Sequence, residues 1–418
     1  MRTHNILSSR HWVKALSACL RTATAVAVFL CFVVPVSAQK PRARDLGVPF
    51  EGTPGLLNAI TDVAGVEVGH RTLIRGAGTG IIGEGPVRTG VTAVFPRGTN
   101  APDPVFAAWF SLNGDGEMTG TTWVQDSGIL EGPVMITNTL SVGMVHHAVI
   151  QWGVEKRFGG EGAPGRWLAS LPVVAETWDG TLNDIYGQHV TVGDALAAIE
   201  NASGGRIEEG GVGGGTGMIC NRFKGGIGTS SRMININGVA YILGVLVQCN
   251  YGDRAPFRVA GVPVGLEIPD LMPLRPGTEG SSIEGNVSGA DREGSIIVVV
   301  ATDAPILPHQ LKRVARRISL GLARNGSTSG NGSGDIFIAF STANRDSASE
   351  LESPNNLEML TNGDLNPLFA ATVQATEEAV INAMVAAETM TGANDVTVYA
   401  LPHDRLREVL RKYNRLVN

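Results

Sequence analysis

The feature that most constrains this chain is a long polar segment that runs directly into an apolar strand. Residues 271–293 are rich in Pro, Gly, Ser and charged side chains, and a segment of about 20 such residues is uncommon inside a compact domain unless it is functional. Residues 296–301 read Ile-Ile-Val-Val-Val-Ala, the composition of a fully buried strand. Gly294 and Ser295 form the junction. The sequence therefore predicts a serine at the start of a rigid strand, behind a loop that can be cut.

A serine in this position has a route to catalysis that needs no histidine. A serine hydroxyl is a poor nucleophile unless a base takes its proton. Cleavage between Gly294 and Ser295 would leave a free α-amine on Ser295, and such an amine, with an ordinary pKa near ~8, can act as that base. The pattern alone also fits a serine that simply caps a strand after a loop, and this alternative stays open here.

Other segments predict helices that alternate with strands. Small and apolar residues favour a helix that begins near Thr139 or Ser141 and runs to Trp152, and residues 309–323 are amphipathic. A proline at a first helical position, Pro367, predicts a long helix, and another is expected from Asp404. Residues 239–247 and 396–400 read as strands. Helices and strands in this order favour sheets that are covered by helices.

The amino-terminal 38 residues are typical of a signal peptide. A basic stretch without acids precedes a short apolar run over residues 23–34, and Val36-Ser37-Ala38 fits a cleavage site. A membrane anchor is disfavoured, because a spanning helix needs about 20 apolar residues and Arg21 interrupts this segment. We expect a periplasmic or secreted protein that starts at Gln39 and has no membrane partner once residues 1–38 are removed.

Removal of the leader leaves two cysteines, Cys220 and Cys249. In an oxidising compartment they could form a disulfide, or they could be two separate buried thiols. The sequence leaves both readings open.

Several classes of site are disfavoured. A net charge of −6 argues against a nucleic-acid partner. The glycine-rich segment 210–217 lacks the Lys-Ser/Thr pair of a phosphate-binding loop, so it favours a backbone that passes close to another segment or a substrate. His146 and His147 are adjacent and would point in different directions on a helix, and no His-Glu-x-x-His motif occurs. We expect neither a metal nor a cofactor.

Residues 294–305, GSIIVVVATDAP, closely resemble the nucleophile segment of the β-aminopeptidase and L-aminopeptidase/D-esterase family, within the Ntn-like hydrolases. Further blocks resemble the same family in the same order: residues 44–50 (RDLGVPF), 212–218 (VGGGTGM), 224–232 (KGGIGTSSR) and 388–393 (ETMTGA). The resemblance covers roughly Arg42 to the end of the chain.

The resemblance implies an αββα four-layer sandwich and a precursor that cleaves itself at Gly294-Ser295. The products would be a large chain, 39–294, and a small chain, 295–418, which together form one catalytic domain. Family members are usually tetramers of such heterodimers. They release N-terminal residues, either β-amino acids or small L- or D-α-amino acids, from short peptides, amides and esters that carry a free amine.

The resemblance also implies roles for five residues. Ser295 would be the nucleophile with its own amine as base, and Ser333 a second serine that is hydrogen-bonded at the nucleophile. Asp335 would orient the amine, although many β-peptide-cleaving relatives carry Glu at this position. Asn250 would donate to the oxyanion, and Glu176 would pair with the amine of the substrate. On the residues alone, Asn250 could be a turn residue, Glu176 a solvated acid and Ser333 a loop serine.

Two other functions remain open at this point. One is a different Ntn-like enzyme, either an acyltransferase related to the ornithine type or an oligomer or amide hydrolase. Such enzymes generally use Thr at the cleavage point, so Ser295 argues against them. The other is a non-catalytic exported binding protein, which an uncut purified chain would favour.

Overall fold

The computed structural model describes most of the chain from residue 40 onward. The described residues are 40–101, 103–158, 171–274, 276, 294–345 and 356–417. The predicted leader over 1–38 and loop residues 277–293 lie outside this part of the chain. Among the described residues, no helix is both long enough and apolar enough to cross a bilayer.

The strands form two main sheets and two short ribbons. In chain order they are β1 (Glu67–Arg75), β2 (Val87–Phe95), β3 (Val105–Gly114), β4 (Ile129–Leu130), β5 (Val134–Asn138), β6 (Val173–Thr177), β7 (Ile219–Cys220), β8 (Phe223–Lys224), β9 (Gly226–Ile236), β10 (Val239–Cys249), β11 (Ile296–Thr302), β12 (Gly334–Ser341), β13 (Met390–Thr391) and β14 (Thr397–Val398). The four-stranded sheet has the order β1-β2-β5-β6, and the six-stranded sheet has the order β4-β3-β12-β11-β10-β9. Only the pairs β5–β6 and β11–β12 are parallel within these two sheets, as far as the structure describes them.

Helices cover the outer face of each sheet. In chain order they are α1 (Thr121–Ser127), α2 (Val142–Phe158), α3 (Val192–Glu200), α4 (Val264–Glu267), α5 (Pro308–Arg324), α6 (Asn366–Val385) and α7 (His403–Lys412). Helices α2 and α3 pack on the four-stranded sheet, whereas α5 and α6 pack on the six-stranded sheet. Separate apolar cores lie under each helix pair, and another lies between the sheets. The predicted αββα four-layer sandwich is therefore confirmed.

The position of strand β11 explains why all of residues 296–301 are apolar. Ile297 and Val299 point into the core between the sheets, whereas Ile296 and Val298 point into the core beneath α5 and α6. Successive side chains of a strand point to opposite faces, so a strand with both faces covered must be apolar at every position.

Most of the predicted elements are confirmed, with small shifts at their ends. A 3-10 turn at Thr139–Ser141 leads into α2, and the other predicted helices correspond to α5, α6 and α7. Strand β10 continues two residues beyond the predicted range, to Cys249. The strand predicted over 396–400 is shorter: β14 covers Thr397–Val398 and pairs with the two-residue strand β13.

The glycine-rich segment makes the close backbone approach that its composition predicts. Gly213–Gly215 forms a 3-10 turn that packs against strands of both sheets. A Cβ added to Gly214 would lie 2.2 Å from Oε1 of Gln248, and one added to Gly213, whose φ is +53°, would lie 2.4 Å from Oγ1 of Thr92. Glycine is required here because a side chain would separate the layers.

Candidate active site

Three neighbouring strands bring most of the predicted site residues to one end of the six-stranded sheet. Cys249 at the end of β10 pairs with Ile296 at the start of β11, and Ile296 pairs with Asp335 near the start of β12. Asn250 directly follows β10, and Ser295 directly precedes β11. Strand register therefore aligns residues that are far apart in the sequence.

Ser295 is buried at this end of the sheet, with 6% of its surface exposed. Its Oγ accepts a hydrogen bond of 3.0 Å from the backbone N–H of Gly334. The preceding residue, Gly294, packs tightly against Asn250: an added Cβ would lie 1.9 Å from the Asn250 carbonyl oxygen and 3.3 Å from its Nδ2. Glycine is thus required before the serine, and the Asn250 amide lies beside the Gly294-Ser295 linkage.

Ser333 contacts both the Gly294 carbonyl and the Asp335 carboxyl group. Its Oγ lies 2.5 Å from the Gly294 oxygen and 2.6 Å from Oδ1 of Asp335. A hydroxyl has one hydrogen to donate, so both contacts are hydrogen bonds only when Asp335 is protonated and donates to Ser333. Burial raises the pKa of Asp335 above its ordinary value, although hydrogen bonds from Ser329, Ser333 and the backbone of Ile296 oppose this rise. The arrangement can hold a proton at Asp335 and polarise the Gly294 carbonyl through Ser333.

The Asn250 carboxamide is fixed by two backbone groups. Its Oδ1 accepts a hydrogen bond of 2.8 Å from the N–H of Ile219, and its Nδ2 donates one of 2.9 Å to the carbonyl oxygen of Trp178. Because a carboxamide nitrogen carries two hydrogens, the second N–H has a defined direction and could serve a developing oxyanion.

A disulfide joins Cys220 and Cys249, whose Cα atoms are 5.7 Å apart. This bond answers the question that the sequence leaves open. Cys220 follows Ile219 and Cys249 precedes Asn250, so the disulfide ties together the two segments that hold the carboxamide in place.

Glu176 comes from β6 in the four-stranded sheet and has 3% of its surface exposed. Its Oε1 accepts a hydrogen bond of 2.9 Å from the backbone N–H of Glu117, and its Oε2 accepts one from the hydroxyl of Thr139. Burial raises the pKa of Glu176; these two hydrogen bonds lower it in part, and the nearby charges of Glu117 and Asp115 raise it further. A buried carboxyl group of this kind is suited to pair with a cation.

Gly116 lies between Glu176 and the residues around Ser295. A Cβ added to Gly116 would lie 3.0 Å from Cα of Gly334 and 3.2 Å from Oε1 of Glu176. Gly334 is the residue whose N–H contacts the Ser295 hydroxyl. The structure therefore brings Ser295, Ser333, Asp335, Asn250 and Glu176 to one site, with a single backbone segment between Glu176 and the others.

Sequence reasoning missed three residues that contact or face this set. Ser329 donates a hydrogen bond of 2.5 Å to Oδ2 of Asp335, and Thr139 donates to Glu176. The hydroxyl of Tyr251 is buried without a hydrogen-bond partner in the described part of the chain, and burial, then the Asp335 charge, raise its pKa. The only signal for Ser329 was a Gly-, Ser- and Asn-rich stretch, which reads simply as a loop.

Comparison with known proteins identifies the family. Residues 58–398 match the model of a family described as Peptidase family S58. A relative from Sphingosinicella microcystinivorans, beta-peptidyl aminopeptidase BapA, is 54% identical over 381 residues, which cover 91% of this chain and 94% of the relative.

Solved structures agree with this match. An L-aminopeptidase D-Ala-esterase/amidase from Ochrobactrum anthropi, described as a prototype for the serine aminopeptidases with a variant of the Ntn hydrolase fold, gives a TM-score of 0.80 at 46% identity, covering 90% of this chain and 100% of that one. A Burkholderia sp. beta-aminopeptidase gives a TM-score of 0.76 at 42% identity, covering 89% and 99%. The resemblance carried by residues 294–305 and the other blocks is confirmed, as is the Ntn-type fold.

Proposed function

We propose that this chain, which belongs to peptidase family S58 and is a serine aminopeptidase, cleaves itself at Gly294-Ser295 and then releases N-terminal residues from short peptides, amides and esters. The observation that carries this proposal is the arrangement around one peptide bond. The Ser295 hydroxyl is held by Gly334 N–H, and the Gly294 carbonyl is hydrogen-bonded to Ser333.

The first reaction is the cleavage of the chain. Ser295 Oγ attacks the carbonyl carbon of Gly294, the carbon–nitrogen bond breaks, and the proton of the hydroxyl passes to the nitrogen of Ser295. Water then hydrolyses the resulting ester, which leaves a carboxylate on Gly294 and a free amine on Ser295. Ser333 assists by donating to the Gly294 oxygen as negative charge develops there.

The second reaction is turnover of the substrate. The new amine of Ser295 takes the proton from its own hydroxyl, which attacks the substrate carbonyl and forms an acyl-enzyme. The ionised Asp335 offsets the positive charge on the amine, and the free N–H of Asn250 stabilises the oxyanion. The amine returns the proton to the leaving group, and water releases the acyl residue by the same steps in reverse order.

Glu176 would explain why the enzyme acts on the amino-terminal residue of its substrate. A buried carboxylate separated from the nucleophile by one backbone segment favours a substrate whose free ammonium group lies next to the scissile bond. We propose β-amino residues as substrates because of the 54% identity to a beta-peptidyl aminopeptidase, and small L- or D-α-amino residues because of the similarity to the L-aminopeptidase D-Ala-esterase/amidase.

We also propose that residues 1–38 direct export to the periplasm or the medium, and that processed heterodimers assemble into a tetramer. The support is the basic, apolar and small-residue pattern of the leader and the family resemblance. We expect amino-terminal sequencing to find Gln39 as the first residue, and light scattering to give a mass four times that of one processed heterodimer.

The masses of the denatured wild-type protein and of Ser295→Ala test the self-cleavage. Two wild-type fragments, with the smaller one starting at Ser295, and an uncut variant are expected. Ser319→Ala on α5 serves as the matched serine control and should be cut. An uncut, inactive wild-type chain would leave a binding protein as the better explanation.

The substrate proposal is tested separately on the cut enzyme. The p-nitroanilides of β-alanine, L-alanine and D-alanine are compared with their N-acetylated forms. Hydrolysis of the free-amine compounds and loss of activity on the acetylated ones are expected. Equal hydrolysis of both forms would contradict the assigned role of Glu176.

A further inference from the structure

Ser329 lies in the loop before β12 and contacts the oxygen of Asp335 that Ser333 does not reach. The Ser329 hydroxyl donates a hydrogen bond of 2.5 Å to Oδ2 of Asp335, while Ser333 lies 2.6 Å from Oδ1. The two serines therefore hold the carboxyl group from both sides and fix its rotation about the bond to Cβ.

The backbone of Ser329 supports a specific role for this side chain. Its φ is +48°, a left-handed conformation that glycine and asparagine adopt more readily than serine. Residues in such conformations persist where the surroundings hold them in place. A glycine here would relieve the strain but would lose the contact with Asp335.

Resting on the function proposed above, we propose that Ser329 is a positioning residue that keeps the Asp335 carboxyl group oriented and ionised during turnover. Without this donor, the buried carboxyl group of Asp335 would lose one of its hydrogen bonds and could rotate away from the amine of Ser295. A hydrogen bond to a charged group is lost in that case, which corresponds to roughly a tenfold to hundredfold decrease in rate.

The protonation of Asp335 provides a readout that a purely structural role would not change. Hydrogen bonds from Ser329 and Ser333 oppose the effect of burial on the pKa of Asp335. Removal of the Ser329 donor should raise this pKa further, so a higher pH would be needed to ionise the carboxyl group. In the described part of the chain, the other titratable group that interacts with Asp335 is Tyr251, two residues beyond β10, and cleavage would add the amine of Ser295. Asp115, after β3, approaches through its backbone N–H, which donates to the carbonyl oxygen of Ser333.

The experiment uses the full-length, self-processed protein and the p-nitroanilide of β-alanine. Ser329→Ala and Ser329→Gly both remove the hydroxyl, but only the glycine variant also removes the backbone strain. The matched control is Thr328→Ala, which removes an exposed hydroxyl from the adjacent position. The pH dependence of kcat, the KM and the melting temperature are measured for each protein.

We expect both Ser329 variants to have a kcat that is roughly tenfold to hundredfold lower, with little change in KM. The acid limb of their kcat profile should move to higher pH by about one pH unit. Thr328→Ala should behave like the wild type. A wild-type kcat and acid limb in Ser329→Gly would overturn the proposal, as would a lower kcat with an unshifted acid limb.

Variants that remain uncut are also informative. An uncut Ser329→Gly that melts at the temperature of the uncut Ser295→Ala protein would overturn the proposal, because loss of this donor favours a protonated Asp335 and should leave the first reaction intact. An uncut variant that melts well below Ser295→Ala would assign Ser329 a structural role and overturn it. An inactive wild type would instead contradict the proposed function itself.

Discussion

Replacement of Gly294 by alanine tests the tightest contact beside the proposed cleavage bond. An added Cβ would lie 1.9 Å from the Asn250 carbonyl oxygen, whereas real Cβ contacts essentially never fall below 3.0 Å. The two segments must therefore separate by about 1.1 Å, the difference between these distances. A displacement of about 1 Å at reacting groups costs roughly a hundredfold in rate. We expect Gly294→Ala to cleave itself about a hundredfold more slowly than the wild type.

The assay follows the decay of the intact chain into two fragments by electrophoresis and mass spectrometry. The matched control is Gly143→Ala in α2, because no heavy atom lies within 4 Å of a Cβ added there. After the cut, residue 294 is the free carboxyl end of the large chain, so molecules that have cleaved should show wild-type kcat. A wild-type cleavage rate in Gly294→Ala at an unchanged melting temperature would refute this reasoning.

Three further predictions concern the groups around the serine. Asn250→Ala should lower kcat roughly a hundredfold to a thousandfold with little change in KM, as measured in steady-state kinetics. Glu176→Gln should raise KM for free-amine substrates about tenfold or more. In the wild type, KM should rise as pH falls. The pKa of Glu176 is raised, so its negative charge is lost at a higher pH than that of an ordinary glutamate. Replacing Cys220 and Cys249 by alanine in the Ser295→Ala background, where the chain stays intact, should lower the free energy of unfolding in urea by about 3.5 kcal/mol for a loop of this length.

The sequence predicted helix-covered sheets and a serine at the start of a buried strand because these signals are local. A strand buried on both faces must be apolar at every position, and residues 296–301 are. The helices show periodic apolar faces or an initial proline. The position of Ser295 follows from the same local pattern, since a polar loop and a buried strand meet there.

The contacts within the site could not be predicted in this way, because they depend on strand register and on packing between the sheets. Glu176 belongs to the other sheet and lies on the opposite side of Gly116 from Gly334. Ser329 is brought to Asp335 by a left-handed turn in a loop whose composition gives no direction to its side chains. The disulfide forms because the fold brings β7 close to the end of β10, and the spacing of two cysteines in the sequence does not determine that contact.

In the proposed sequence of events, Asp335 faces two different chemical partners. Before cleavage the nitrogen of Ser295 is an uncharged peptide amide, and burial keeps the pKa of Asp335 high. A protonated Asp335 can then donate to Ser333, which donates to the Gly294 oxygen 2.5 Å away. After cleavage the same nitrogen is an amine that becomes positively charged as it accepts a proton, and a positive charge beside a carboxyl group lowers its pKa. The first reaction thus creates the amine whose positive charge favours an ionised Asp335 in the second reaction, and the carboxyl group changes role by losing one proton to solvent.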